Sequence, residues 1–378
     1  MDRRDFIKAA ITASATVAMT TSFPAYASAQ KRALVLGGRD FFGPNIVNAL
    51  LKQGYTVTLF NRGFTNPDLF KELTWIRGDR EIKDGSGLAN LKAHIRSHRY
   101  DLVIDTWQKS PQAVLDMVRL LKGKIGHYQY VSSISVYKDR QHVGINEEYP
   151  LLDVSSVDAK ADNLHYAQRK TLAELFLFEE LPDKSSTFRS HGMRSDRTPA
   201  RIYEPYWPVR FYRGGEILLP KQDNHVMQVC DVTSMSKFML KSFDVGHTGA
   251  FNVAYPTNDF SDYLQQVEAV TRKPHQKVWV TPEFLEQQDI QPYRDLPLWR
   301  PQLKGFYHID VSKALDAGLE NRPMTAMIND QLKGYFSRNP DDGFLFGGRG
   351  TISPQKESAV LSLWKKQRSA LIDSAQRG

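Results

Sequence analysis

Hydrophobic and polar positions along the first half of the chain follow two periods in turn. Short apolar runs at 32–37, 55–60, 74–77, 101–105 and 127–132 read as strands, and amphipathic stretches at 44–53, 87–98, 110–122 and 162–180 read as helices between them. This alternation predicts an α/β fold in which helices cover both faces of a doubly wound parallel sheet. After residue 182 the pattern loosens into short segments marked by Pro199, Pro205, Pro208, Gly214, Gly215 and Pro220, with two further amphipathic helices expected near 259–271 and 355–372. The chain therefore divides into a first region, 30–182, and a mixed C-terminal region, 183–378, that would bind substrate on loops and short elements. No internal repeat or low-complexity linker interrupts it.

The first predicted strand runs straight into Gly37-Gly38-Arg39-Asp40-Phe41-Phe42-Gly43 and then into a helix whose apolar face is Ile46, Val47, Leu50 and Leu51. A strand, a tight glycine turn and a helix N-terminus hold a dinucleotide pyrophosphate. Glycine permits the turn, backbone N–H groups face the phosphates, and Gly43 lets helix and strand pack closely. This makes the sheet Rossmann-type and names Gly37, Gly38, Phe41, Phe42 and Gly43 as cofactor-binding. The second strand ends in Asn61-Arg62-Gly63, where an acid would hold an unphosphorylated adenosine ribose. Asn61 carries no charge to repel a 2′-phosphate, and Arg62 is able to pair with one, so the cofactor is NAD or NADP with a lean toward NADP. A solvated turn residue is the other reading of Arg62. Asp79, after the third strand, stands where a carboxylate accepts from the adenine amino group.

Of the 16 tyrosines only Tyr166 has a lysine four residues later, Lys170, which puts both on one helix face. A phenol is a poor base at neutral pH unless a nearby cation favours the phenolate, and Lys170 supplies one while also reaching the ribose. Ser133 ends the fifth strand at the carboxyl edge of the sheet, in position to hydrogen-bond the same substrate oxygen as Tyr166. These three residues suit proton transfer coupled to hydride transfer.

A different message precedes the first strand. Arg3 and Arg4 are followed by Phe6-Ile7-Lys8, an apolar stretch from Ala9 to about Thr21, and small residues at Ala27 and Ala29. The apolar stretch is shorter than the roughly 20 residues that span a membrane. It reads instead as a twin-arginine signal over residues 1–29, cut near Ala27 or Ala29, which predicts passage through the twin-arginine export machinery to the periplasm. That route carries folded proteins, so a cofactor inserted beforehand would be tightly held. A single cysteine, Cys230 in a strand-like run, excludes an intramolecular disulfide and reads as a buried apolar residue. The formal charge of +8 comes from scattered Lys and Arg, partly within the signal, so no nucleic-acid partner is expected.

With these motifs assembled, the chain resembles the extended, partly atypical short-chain dehydrogenases/reductases, in the NAD-dependent epimerase/dehydratase branch. The resemblance runs over essentially the whole mature chain. It rests on the glycine turn, Leu59-Phe60-Asn61-Arg62-Gly63, Gly78-Asp79-Arg80, Val131-Ser132-Ser133-Ile134-Ser135-Val136-Tyr137, the Tyr166 and Lys170 pair, Tyr206-Trp207-Pro208-Val209-Arg210 and Phe251-Asn252-Val253. It implies catalytic roles for Ser133, Tyr166 and Lys170, cofactor contacts from Gly37, Gly43 and Asp79, and allows a homodimer. Asp40 departs from the family by replacing the middle glycine, as in an atypical branch resembling chloroplast RNA-binding relatives, and sets a carboxylate near the pyrophosphate. Arg189-Ser190-His191-Gly192 stands where relatives have Arg-Pro-Gly, and Met193 to Thr198 replaces a Gly-Pro loop, which alters the wall beside the nicotinamide.

The function expected is that of an exported oxidoreductase or epimerase/dehydratase-type enzyme acting on a sugar-like alcohol. Its periplasmic location argues for a free sugar, glycoside or cell-wall fragment, because nucleotide sugars are mostly cytoplasmic. The rival is a non-catalytic protein of the same fold that binds a nucleotide or a polyanion such as RNA. His165 and His191 lie near this site, though a lone histidine is more often structural, and no cluster with ligand spacing implies a metal. Tyr203, Tyr206, Trp207, Phe211 and Tyr212 would stack on a sugar or serve as packing anchors. Arg201 and Arg210 would meet an anionic substrate or pair with Glu204.

Overall fold

The computed structural model describes residues 30–82, 84–198, 205–339 and 351–375. The export signal read in residues 1–29 lies outside the described residues, as do Pro199, Arg201, Tyr203 and Glu204. The first half follows the predicted alternation. Strands β1 (Arg32–Leu36), β2 (Thr56–Asn61), β3 (Thr74–Arg77), β4 (Tyr100–Asp105) and β5 (Ile125–Ser133) are interleaved with helices α1 (Gly43–Lys52), α2 (Ala89–His94), α3 (Pro111–Leu121) and α4 (Tyr166–Glu180). Two boundaries differ from expectation. The helix read over 87–98 is shortened to α2 behind a single 3-10 turn at Ser86–Leu88. The helix read from 162 begins at Tyr166, where His165 is the N-cap and Gln168 Oε1 accepts from the His165 amide at 2.9 Å.

Beyond α4 the chain continues through β6 (Ser185–Ser190), β7 (Met193–Arg194), α5 (Tyr206–Arg213), β8 (Gly215–Pro220), β9 (Val226–Met227), β10 (Cys230–Asp231), α6 (Val232–Asp244) and β11 (Gly249–Val253). The seven-stranded sheet has the order β11-β6-β5-β4-β1-β2-β3, and every pairing in it is parallel. Two strands from beyond residue 182, β6 and β11, thus complete the sheet, so the later half is not only loops and short elements. The pattern of β6 conceals this, because its six residues read Ser-Ser-Thr-Phe-Arg-Ser and all are buried. Buried polar groups are tolerable when partnered. Ser185 Oγ donates to the Leu181 carbonyl (2.6 Å), Ser186 Oγ to the His247 carbonyl (2.8 Å) and Ser190 Oγ to the Ser132 carbonyl (3.0 Å). Arg189 meets Glu174 of α4 through both Nε and Nη2, the shortest contact being 2.7 Å, with the two side chains 4 % and 0 % exposed.

Alternate residues of β1 feed two cores. Ala33 and Val35 pack with Ile46, Val47 and Leu50 of α1 and with Phe238 and Met239 of α6. Leu34 and Leu36 pack with Leu91, Met117, Val118 and Leu177 on the opposite face. With both faces covered, β1 is apolar at every position except its first. The remaining elements are β12 (Asn258–Asp259), α7 (Phe260–Thr271), β13 (His275–Val280), α8 (Pro282–Gln287), α9 (Ser312–Asp316), α10 (Met324–Arg338) and α11 (Pro354–Ala375). Apart from α9, whose Ala314 joins the core of β1 and α6, they surround a separate apolar cluster that includes Trp207, Leu218, Tyr263, Val280 and Ile328. Cys230 is 1 % exposed and burial pushes its thiol pKa up, which suits a packing role.

Because Glu174 compensates a buried guanidinium, Glu174→Gln should cost about 3–5 kcal/mol, read as a fall in the urea unfolding midpoint. A loss below about 1 kcal/mol, the scale of a surface pair, would contradict this assignment.

Candidate functional site

The carboxyl ends of the parallel strands open into a cleft of about 670 Å³. Its floor is the glycine turn. Gly37 and Gly38 adopt φ of +117° and +92°, a region closed to most side chains, and a Cβ on Gly43 would come within 2.5 Å of the Gly38 backbone. The turn is tied to β2, with the Gly37 amide donating to the Phe60 carbonyl (2.9 Å) and Asn61 Nδ2 donating to the Gly37 carbonyl (2.7 Å). Asn61 Oδ1 in turn accepts from the Gly63 amide (3.0 Å), so one end of this side chain holds the glycine turn and the other the loop after β2. The sequence-predicted residues Gly37, Gly38, Phe41, Phe42, Asn61, Arg62, Asp79, Ser133, Tyr166 and Lys170 all border the cleft. Gly43 lies behind the turn, and the ring of Phe42 packs in the core below it. Asp40 is exposed, and its Oδ1 accepts from the neighbouring Phe41 amide at 3.0 Å, which occupies one donor of the turn.

At the β2 and β3 end, Arg62 Nη1 stands 4.0 Å from Asp79 Oδ2, and the other Asp79 oxygen accepts from the Glu81 amide (3.0 Å). The Arg62 guanidinium also lies 5.7 Å from the centre of the Phe64 ring. A cation and a carboxylate therefore share the edge where an adenosine would sit.

The opposite wall hangs on a buried carboxylate. Asp105, the last residue of β4, takes a bidentate contact from Arg80 (2.9 and 3.0 Å), the Tyr128 hydroxyl (2.5 Å) and the Trp107 amide (2.9 Å). Trp107 is thereby fixed, and its carbonyl accepts from both the Tyr130 hydroxyl (2.8 Å) and Lys170 Nζ (2.7 Å). Lys170 Nζ also donates to the Val131 carbonyl (2.7 Å) and the Tyr130 hydroxyl (3.0 Å), with the Tyr130 ring 4.3 Å away. All three ammonium protons are thus committed inside the protein. Burial lowers the Lys170 pKa to about 7 against the attraction of Asp105 and Glu174, so the ammonium, whose three N–H donors match the three acceptors, is the form below about pH 7 and releases a proton above it.

Tyr166 opens to the cleft over 38 % of its surface, and Ser133 is near enough for its hydroxyl to bond the phenol. Protein packed around the ring raises the Tyr166 pKa, while that hydrogen bond and the Arg169 guanidinium, 5.9 Å from the ring centre, oppose the rise. Arg169 is thus a cation close to the phenol in addition to Lys170, which the spacing argument named. Ser133 Oγ also accepts from the Ser135 amide (3.1 Å) and caps the turn after β5. Pattern reading missed Trp107, Tyr130 and Arg39 in the cleft region. Two tyrosines at alternate positions of a buried strand, Tyr128 and Tyr130, were a usable signal, since buried phenols need partners.

Several candidates belong elsewhere. His191 is buried, its Nε2 bonds the Phe306 carbonyl (2.6 Å), and desolvation lowers its pKa to about 4. Its neighbours Ser190, Gly192 and Met193 border the cleft. Arg210 is buried against Glu357 (2.9 and 2.8 Å), so it is not a free anion contact. Tyr206, Trp207 and Phe211 lie in the C-terminal core, and Tyr212 packs on Phe336 with ring centres 4.6 Å apart, so these four are packing anchors. Among the described residues no group of three His, Cys, Asp or Glu side chains is arranged to hold a metal ion.

No family model matches the chain. One curated relative, the chloroplast stem-loop binding protein of 41 kDa b from Arabidopsis thaliana, is 28 % identical over 124 residues, which cover 29 % of this chain and 31 % of that protein. The chain thus spans about a third of that relative's length. Solved structures match far more of it. A dTDP-glucose 4,6-dehydratase from Bacillus anthracis in complex with NAD has a TM-score of 0.58 at 15 % identity, covering 82 % of this chain and 98 % of that one. A UDP-glucose 4-epimerase from Thermotoga maritima with UDP-glucose gives 0.58 at 14 % identity over 82 % and 100 % of the two chains. Vestitone reductase from alfalfa gives 0.58 at 15 % identity over 82 % and 99 %. At this identity the likeness establishes the Rossmann-type fold shared with these enzymes.

The lowered Lys170 pKa has a defined sign in stability. Between about pH 7 and pH 10 the unfolded chain holds a proton at this position that the folded chain has released, so folding gains stability as pH rises through that window. The stability of the wild type relative to Lys170→Met should therefore climb from pH 7 to pH 10 in urea titrations, and a difference that stays flat would contradict it.

Proposed function

We propose that the protein is an NAD(P)-dependent oxidoreductase or epimerase/dehydratase-type enzyme that acts on a sugar-like alcohol. The observation that carries this reading is the meeting of Ser133, Tyr166 and Lys170 with the glycine turn around one cleft. A dinucleotide fits the chemistry of that cleft, because a Cβ at Gly43 would collide with the turn that is to cradle a pyrophosphate. When bound, a nicotinamide supplies a hydride acceptor and donor. In this reading Ser133 orients the substrate oxygen, Tyr166 takes or returns its proton, and the buried Lys170 ammonium sets the potential of the wall behind them. Arg169 adds the positive charge that eases loss of the phenolic proton. NADP is favoured over NAD at the adenosine end, because Asn61 has replaced an acid and Arg62 borders the cleft. The relatives' names support a carbohydrate substrate, since two of the solved structures are enzymes of nucleotide-linked glucose.

A second reading rests on the Arabidopsis relative, whose name specifies stem-loop binding, and on Asp40, which takes up a phosphate-facing amide. In that case the fold would bind a nucleotide or RNA without turnover.

Tyr166→Phe separates the two. Incubated with free sugars and glycosides and followed both by the absorbance of reduced nicotinamide and by chromatography of the sugar, which also registers a redox-neutral conversion, the wild type should turn over, and the variant should lose about 10²-fold or more in rate with nucleotide binding retained. Equal rates in the two proteins would remove Tyr166 from the chemistry, and specific RNA binding with no turnover in either would favour the second reading.

A further inference from the structure

Lys170 is held differently from three buried arginines of this chain. Arg80, Arg189 and Arg210 each have a carboxylate partner, in Asp105, Glu174 and Glu357. Lys170 is only 2 % exposed, yet among the described residues it makes no ion pair. Buried charges are ordinarily paired. The two carboxylates that attract it, Asp105 at the end of β4 and Glu174 one turn further along α4, are already engaged by Arg80 and Arg189, while the Arg169 and Arg80 guanidinium groups repel it. Neutral groups therefore fix its position.

The three acceptors around Nζ are not alike. The Trp107 and Val131 carbonyls, each at 2.7 Å, only accept, whereas the Tyr130 hydroxyl, at 3.0 Å, is able to accept or to donate. The same hydroxyl lies 2.8 Å from the Trp107 carbonyl. With an ammonium, three N–H groups reach three acceptors and the Tyr130 O–H points to Trp107. With an amine, two N–H groups keep the carbonyls, and the lone pair left by the proton is met by the Tyr130 O–H after a turn about its C–O bond. No heavy atom has to move. The Trp107 carbonyl gives up one donor and keeps Lys170. Tyr130, 1 % exposed, retains its own proton throughout, because burial first and Asp105 second push its pKa well above that of a free phenol. An apolar ring in its place would strand one N–H of the ammonium or the lone pair of the amine.

We propose that Tyr130 is a positioning residue whose hydroxyl holds Lys170 in either protonation state, accepting from the ammonium and donating to the amine. The wall behind Tyr166 thereby changes its charge without changing its shape. The inference deepens the reading of Lys170 as the charge behind Tyr166, and it makes the Trp107 loop insensitive to release of the lysine proton above about pH 7. Its test needs neither nucleotide nor substrate, so it stands or falls separately from that reading.

The test is carbon-13 NMR of the full chain labelled at lysine Cε and tyrosine Cζ, titrated from about pH 5 to about pH 9, with Lys170→Met and Tyr130→Phe identifying the two signals. In the wild type both signals should move with one midpoint at about pH 7. Tyr128, whose hydroxyl is committed to Asp105 at 2.5 Å, should move several-fold less. In Lys170→Met the Tyr130 signal should be flat over the same range. In Tyr130→Phe the Lys170 midpoint should fall by about one pH unit, because the ammonium loses a charge-assisted bond and the amine a weaker one. If Tyr130→Phe does not fold, the spectra of the wild type and Lys170→Met carry the comparison. A Lys170 signal that does not titrate in this range, Tyr130 and Tyr128 signals that move alike, or an unchanged Lys170 midpoint in folded Tyr130→Phe would overturn the proposal.

Discussion

The Lys170 side of the cleft depends on one buried carboxylate. Asp105 closes β4 at the carboxyl edge of the sheet and gathers Arg80, Tyr128 and the Trp107 amide around its two oxygens. Burying a lone carboxylate is prohibitive, but a bidentate arginine and two further donors offset the lost hydration. The consequence reaches past Asp105, because the Trp107 backbone it orients presents the carbonyl to which Lys170 donates. Removing the carboxylate would strand Arg80 and free the loop on which the lysine depends.

This arrangement changes how the lysine is understood. A Tyr and Lys one helical turn apart suggest that the ammonium directly supports the phenol, yet here the ammonium is held by two carbonyls and Tyr130 on the inner side of α4. Arg169, one residue earlier, stands beside the phenol. To reach a ribose hydroxyl Lys170 would exchange one of its present acceptors, and the Tyr130 contact is the longest of the three at 3.0 Å. The positive charges of Lys170 and Arg80 are thus fixed by internal bonds.

How much of this was legible in the sequence follows from the range of the interactions. Strands β1 to β5 were visible because they are apolar runs, and the glycine turn and the Tyr166 to Lys170 spacing because their meaning lies within a few residues. β6 was invisible because burial of Ser185, Ser186, Arg189 and Ser190 depends on Leu181, His247, Glu174 and Ser132, which hydropathy does not connect. The same holds for Arg210, whose charge looked available until Glu357, 147 residues later, closed on it. Asn61 was read by its missing charge, whereas its amide bonds to Gly37 and Gly63 appear only when β1 and β2 are side by side. Local spacing carried the outline of the site, and partners distant in sequence decided which charges in it are free.

The central claim is that this cleft holds a nicotinamide dinucleotide and uses it. The most direct measurement is to purify the protein, denature it, and identify any released nucleotide by mass spectrometry and absorbance. The account predicts NAD or NADP near one equivalent per chain, or ready uptake of one of them by a protein that emerges empty. A protein that releases no nucleotide and binds neither would contradict it.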